Sequence, residues 1–195
     1  MNRVHIDSHA TATLRYIRAS MEAAASIAVP GSAGLAMGSV GVAAMVLSCV
    51  PTLQEQWLGI WLLAAVVASG FGGALMMQSS SPRGSILARA QVRKLALCLL
   101  PSLFGGAIMT TVLWSSNNLQ AIPGTWLLSY GCALVPASIT TNPKVAYMGT
   151  SFAVLGLLAF PLPWSLQMLM LGAGFGGLHL LFGFLIGQAD HDGET

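Results

Sequence analysis

Six long apolar runs separated by short polar turns constrain the fold of this chain more than any other feature. Each run is long enough, as an α-helix rising about 1.5 Å per residue, to cross a hydrocarbon layer about 30 Å thick. Only 7% of the 195 residues are charged, against about 25% in soluble domains. The chain is therefore predicted to be an all-α membrane protein with six transmembrane helices. The predicted spans are residues 31–50, 57–78, 95–114, 122–141, 145–161 and 164–187.

The basic residues orient these spans. If the N-terminus lies in the cytosol, all eight Lys and Arg residues fall on cytosolic segments, and the opposite turns carry none. Membrane proteins keep such residues on the cytosolic side, so both termini are predicted to be cytosolic. The net charge of +2 does not indicate a nucleic-acid partner; the predicted partner is the lipid bilayer. The basic residues are Arg3, Arg15, Arg18, Arg83, Arg89, Arg93, Lys94 and Lys144.

The segment before the first span has the pattern of an amphipathic helix. Between residues 10 and 28, Arg15, Arg18 and Glu22 form a polar stripe beside an apolar one. Such a helix suits the headgroup layer and is predicted to lie along the membrane; the alternative is a cytosolic extension of the first span. The chain thus divides into a cytosolic tail with this helix (1–29), a six-helix bundle (30–188) and a second cytosolic tail (189–195).

The last span holds the one histidine placed deep within an apolar run, His179. At helical spacing, Gly172, Gly176, Gly183 and Gly187 share its face. Glycine lets another backbone or a flat ligand approach a membrane helix closely, and a polar ring is costly in contact with lipid. We expect His179 to stand in a groove packed against spans three and four. It serves there either as a ligand-binding residue or as a hydrogen-bonding residue that holds the bundle together.

Spans three and four each carry a proline near the cytosolic end, Pro101 and Pro136. Interrupted membrane helices can line a binding cavity with freed carbonyl groups, although a proline kink is also common without any function. Tyr147 and several hydroxyl-bearing residues are expected near the same depth. These residues are the remaining candidates for ligand binding or helix packing.

Several short segments resemble a family of uncharacterised bacterial inner-membrane proteins. They are Ser20–Gly31, Met37-Gly38, Pro123–Gly131, Met148-Gly149 and Gly174–Gly183. The resemblance extends over most of the chain from residue 14 to residue 187. It implies a six-span protein of the bacterial inner membrane, and it carries over no established activity.

Catalytic motifs are not recognisable in the spans. Intramembrane proteolysis of the rhomboid type requires a GxSG serine, whereas span four reads Ser129-Tyr130-Gly131-Cys132. Haem bound at His179 would need a second axial ligand from a methionine or from a symmetric dimer. We therefore expect no enzyme activity and no resident cofactor; a membrane subunit that binds haem at His179 and an intramembrane enzyme are the lesser alternatives.

The function that follows is that of a ligand-binding sensor or a partner subunit of a membrane complex. The alternative is a small-solute transporter, although no acidic residue lies inside a span to relay protons or sodium ions. A second copy of the chain or another membrane protein is the expected protein partner.

Overall fold

The computed structural model describes residues 13–14, 29–78 and 85–192 of the chain. From residue 29 onward, these residues form helices joined by short turns. The α-helices are α1 (Gly31–Ser48), α2 (Trp57–Gln78), α3 (Ser85–Ser115), α4 (Ile122–Ala137), α5 (Pro143–Ala159), α6 (Trp164–Gly172) and α7 (His179–Asp192). Three 3-10 segments and one π-helical segment connect them: Pro51–Gln56, Leu119–Ala121, Ser138–Thr140 and the π-helical Ala173–Leu178.

Among the described residues, five helical segments are long and apolar enough to cross a membrane, and the predicted all-α class is confirmed for this part of the chain. The fifth predicted span becomes α5, which is apolar but has only 17 residues, or about 25 Å of helix. The other predicted boundaries agree with the structure within a few residues. The five segments are Gly31–Ser48, Pro51–Gln78, Arg93–Ser115, Leu119–Thr140 and Trp164–Gln188.

The predicted interfacial helix over residues 10–28 lies almost wholly outside the described residues. Thr13 and Leu14 are helical, and this agrees with the prediction at those two positions only. The polar stripe of Arg15, Arg18 and Glu22 stays a prediction.

Two pairs of antiparallel helices pack through glycine. In the first pair, α1 lies against α7 and the π-helical segment, and a Cβ atom added to Gly183 would stand 2.7 Å from the backbone nitrogen of Leu35. In the second pair, α4 lies against α5, and a Cβ atom on Gly156 would stand 2.6 Å from the backbone nitrogen of Leu128. Side chains cannot fit at these positions, so the backbones of both pairs are in direct contact.

The large buried side chains lie where the second pair meets span six. Phe152 of α5 and Leu127 of α4 are fully buried, and Leu171 of α6 packs into the same cluster. The helices α2 and α3 lie outside the two pairs: α2 packs on α1, and α3 packs mainly on α4, with a much smaller contact between α2 and α3. This arrangement leaves space between α2 and the rest of the bundle.

The prolines of spans three and four do not divide their helices in the described structure. Helix α3 continues through Pro101, and Pro136 lies in the last turn of α4, one residue before its end. The interrupted span is instead span six, where the π-helical segment separates α6 from α7. Three of the four residues 174–177 are glycine. This explains the position of the interruption, because glycine stabilises a regular helix poorly.

The glycine contacts give a direct prediction about stability. A Cβ atom on Gly131 would stand 2.5 Å from the backbone nitrogen of Ala153, whereas one on Gly105 of α3 would meet nothing within 4 Å. We expect Gly131→Ala to destabilise the protein by about 1–3 kcal/mol through overpacking. Gly105→Ala should be neutral or slightly stabilising, because alanine favours helix over glycine. Thermal unfolding in detergent micelles, followed by circular dichroism, measures both; equal melting temperatures would contradict the backbone contact.

Candidate functional site

The π-helical segment Ala173–Leu178 positions the candidate site. A π-turn places one extra residue in the helix and frees backbone groups from the regular hydrogen-bond pattern. His179 follows directly, as the first residue of α7. The ring of Phe175, within the segment, lies parallel to the imidazole, with ring centroids 6.2 Å apart. The interruption therefore brings an aromatic ring and an imidazole to the same side of span six.

His179 is buried among aromatic rings and bonded to a tyrosine. Only 3% of the residue is exposed, and its Nε2 atom lies 2.9 Å from the hydroxyl oxygen of Tyr130 in α4. The ring of Phe152 in α5 meets the imidazole edge to face, with centroids 5.4 Å apart. The pair of Tyr130 and His179 thus links span four to span six inside a cluster that is otherwise apolar.

The two ring nitrogens of His179 differ in their surroundings. Its Nδ1 atom is buried and has no hydrogen-bond partner among the described residues. Its Nε2 atom is paired with the Tyr130 hydroxyl, and the imidazole tautomer determines which of the two atoms donates.

A cavity of about 510 Å³ lies beside this pair, within the range of small-molecule sites. Its walls come from α1 to α6 except α5, together with the π-helical segment and His179. Most of the lining is aliphatic, and five aromatic side chains add to it: Trp57, Trp61, Trp126, Tyr130 and Phe175. Tyr130 and His179 therefore form a hydrogen-bonded polar pair in a lining that is mostly apolar.

The end of the cavity near the start of α2 is closed by aromatic rings. Trp57 is only 7% exposed, and its ring meets that of Trp164 edge to face, with centroids 4.9 Å apart. Trp61 stands one turn further along α2, with its ring 6.1 Å from that of Phe175. The indole nitrogen of Trp61 is buried and without a hydrogen-bond partner among the described residues.

The predicted glycine face of span six is present, but α1 covers it. A Cβ atom on Gly176 would meet Val42, one on Gly183 would meet Leu35, and one on Gly172 would meet Met45. The groove is thus filled by span one, where spans three and four were expected. Of these two spans, span four supplies the hydrogen-bond partner of His179.

The other predicted site residues are not brought together with His179. Pro101 and Pro136 are exposed, and Tyr147 is 70% exposed on α5. Tyr147 lies beside Thr150 and Ser151 around a second, shallower depression on the outer face of α5. The structure therefore leaves His179 alone among the predicted residues at the cavity.

Sequence reasoning missed Tyr130, Trp61 and Phe175. A usable signal existed for Tyr130, since a tyrosine in the middle of an apolar run needs a hydrogen-bond partner, and His179 is the ionisable residue at a similar depth. Gln167 was also missed. It is fully buried and donates from Nε2 to the carbonyl oxygen of Leu162 over 2.9 Å, so it holds the turn between α5 and α6.

Comparison with family models, with curated proteins and with solved structures gave no match to this chain. The resemblance to a family of six-span inner-membrane proteins therefore stays a prediction from the sequence segments that carry it.

The hydrogen bond between Tyr130 and His179 can be tested by a double-mutant cycle. Tyr130→Phe removes the hydroxyl and leaves Nε2 buried without a partner, which should cost about 0.5–2 kcal/mol. In a His179→Phe background the same change should cost much less, because the imidazole is already gone. Thermal unfolding in micelles gives the four stabilities, and equal costs in both backgrounds would show that the two side chains are uncoupled. Tyr147→Phe, at an exposed position, is the matched control and should change stability by less than about 0.5 kcal/mol.

Proposed function

We propose that this chain is a six-span integral membrane protein that binds an apolar ligand in the cavity beside Tyr130 and His179, as a sensor or as a partner subunit of a membrane complex. The observation that carries the proposal is the cavity itself, which is apolar and aromatic and lies among helices of membrane-spanning length.

The course of the chain supports counting α5 as a span. Gly124 of α4 faces Gly156 of α5, and Gly131 faces Gly149, so α5 runs antiparallel to α4 along its length. At about 25 Å it covers most of a hydrocarbon layer of about 30 Å. The short turn after Ala159 then leads directly into α6. An α5 that did not cross would leave α4 and α6 starting from opposite faces of the membrane.

The described cations support the proposed orientation of a bacterial inner-membrane protein with both termini in the cytosol. Lys144 lies in the first turn of α5, and its Nζ atom donates to the carbonyl oxygen of Leu185 near the end of span six. Arg93 and Lys94 stand at the beginning of the third spanning segment. All three lie where this orientation places the cytosolic ends of the proposed spans, and basic residues concentrate there.

The hydrogen bonds of the spans support a bound ligand over a permeating solute. Thr110, Thr150 and Ser151 donate their hydroxyl hydrogens to carbonyl oxygens four residues earlier in their own helices. These hydroxyls are therefore already used within single helices, and none of the three residues lines the cavity beside His179. A polar solute would find few free groups there, whereas an apolar ligand needs none.

The geometry at His179 gives little support for bound haem. Ligation of iron through Nε2 of His179 would require loss of the hydrogen bond with Tyr130, and Nδ1 is buried. An absorption spectrum of the purified protein checks the point, because a Soret band would favour the haem alternative.

Native mass spectrometry tests ligand binding. We expect the protein, released from a mild detergent, to carry an apolar adduct of constant mass. Ala64 lines the cavity on α2, so Ala64→Phe should fill part of it and reduce the adduct at least fivefold. Ala74→Phe is the matched control, because Ala74 is exposed on the same helix and does not line the cavity. An adduct unaffected by Ala64→Phe, or no adduct in the wild type, would contradict the proposal; solute flux in liposomes would instead favour the transporter.

Fusion of a reporter after Thr195 tests the orientation. With six spans and a cytosolic N-terminus, a reporter that is active only in the cytosol should be active, and one that is active only in the periplasm should be silent. A fusion in the turn between α5 and α6, after Leu162, should give the opposite pair of results. Equal behaviour of the two fusion sites would mean that the last spanning segment does not cross.

A further inference from the structure

We propose that the ligand of this cavity is a hydrocarbon chain of a membrane lipid, which enters sideways between α2 and α3 from the leaflet at the Trp57 end. This inference rests on the proposed function and names the chemistry of the ligand. Three properties of the cavity carry it: its opening, its depth and its hydrogen bonds.

The cavity opens toward the lipid-facing surface. On α4 and α6 the lining residues Ile122 and Leu171 are at most 3% exposed. On α2 the lining continues onto the outer surface of the bundle, where Val66 is 70% exposed and Leu62 is 43% exposed. Across from them, α3 contributes Leu103 to the lining, and its contact with α2 is small. A molecule in the bilayer therefore reaches the cavity along this seam without crossing water.

The depth of the cavity matches one leaflet. Along α2 the lining runs from Trp57, at the helix start, to Ser69, and twelve residue steps of about 1.5 Å give about 18 Å. Half of a hydrocarbon layer of about 30 Å is about 15 Å. On α4 the lining begins at Ile122, the first residue, and reaches Tyr130. The cavity therefore begins at one membrane interface and ends near the midplane, as does the acyl chain of a lipid in that leaflet.

The hydroxyl groups of the lining are hydrogen-bonded within the protein. The hydroxyl of Ser69 donates to the carbonyl oxygen of Ala65 over 2.7 Å, and the hydroxyl of Tyr130 is bonded to His179. The indole nitrogen of Trp61 is buried and has no partner among the described residues. A ligand that bonded the two hydroxyls would have to break these pairs, whereas a hydrocarbon chain leaves them intact. Apolar cavities of this kind stay dry and take apolar guests.

Quenching of tryptophan fluorescence by brominated lipid tests the proposal directly. Bromine quenches only on contact, and the probe is phosphatidylcholine with dibrominated acyl chains, compared with the unbrominated lipid. The emission of Trp61 is obtained as the difference between the wild type and Trp61→Phe, each reconstituted in both vesicles. We expect the Trp61 contribution to lose at least half of its intensity in the brominated vesicles. Trp114, which is 56% exposed, is treated in the same way and serves as the lipid-contacting reference.

Two variants separate a chain in the cavity from lipid outside it. Ala65 lies at the exposed edge of the lining, one turn from Trp61, so Ala65→Phe should narrow the opening and reduce quenching of Trp61 at least twofold. Ala74→Phe, away from the lining, should leave it unchanged. Gel filtration and circular dichroism establish that both variants remain folded. Equal quenching in the two variants would overturn the proposal, because Trp61 would then be contacting bulk lipid.

The remaining outcomes distinguish this inference from the function on which it rests. If Trp61 is not quenched while Trp114 is, no acyl chain enters, and the inference is wrong. An adduct in native mass spectrometry that depends on Ala64 would then show that the cavity binds another apolar molecule, and the proposed function would stand. If neither quenching nor an adduct is found, both proposals fail.

Discussion

Direct contact between helix backbones is the constraint on which the rest of this structure depends. In lipid there is little hydrophobic force between apolar helices, so association depends on close packing and on the few polar contacts available. The pair of α1 with span six and the pair of α4 with α5 meet this requirement with glycine. At Gly31, Gly34 and Gly183 the backbones of α1 and α7 meet without intervening side chains. These two helices are therefore in contact along their length.

These two pairs also decide where the cavity lies. Span six is held by α1 on one side. On the other side Phe175 of the π-helical segment and His179, the first residue of α7, contact Tyr130 and Phe152. Span six is therefore fixed on both sides. On α2, the residues at positions 64, 65 and 68 that line the cavity are alanines, and their small side chains do not fill the space between α2 and the rest of the bundle. The cavity thus results from rigid packing on one side of the bundle and small residues on the other.

Much of the fold could be predicted from the sequence because membrane spans are set by length and polarity, which act locally. The predicted span of 57–78 coincides with α2, and the predicted spans near 31–50 and 164–187 differ from the structure by one or two residues. The partner of His179 could not be derived in this way, because it depends on which helices are neighbours. The glycine face of span six predicts that another group approaches the helix closely. The same pattern fits a groove for a ligand and a groove for another helix, so it does not identify that group. The prolines predict interrupted helices in spans three and four, whereas the interruption lies in span six, where glycine is frequent.

The contact between α1 and α2 differs in kind from the glycine pairs, and this difference has a consequence for the size of the cavity. At Gly72 of α2 the neighbouring atoms belong to the side chain of Met37, which also lines the cavity. Methionine is unbranched and flexible and adapts its shape to irregular spaces. A change in its rotamer can enlarge or narrow the cavity while every backbone contact of α1 with span six stays in place. The bundle therefore combines backbone contacts that fix the helices with one flexible side chain in the cavity wall, so the volume of the cavity depends on the rotamer of Met37.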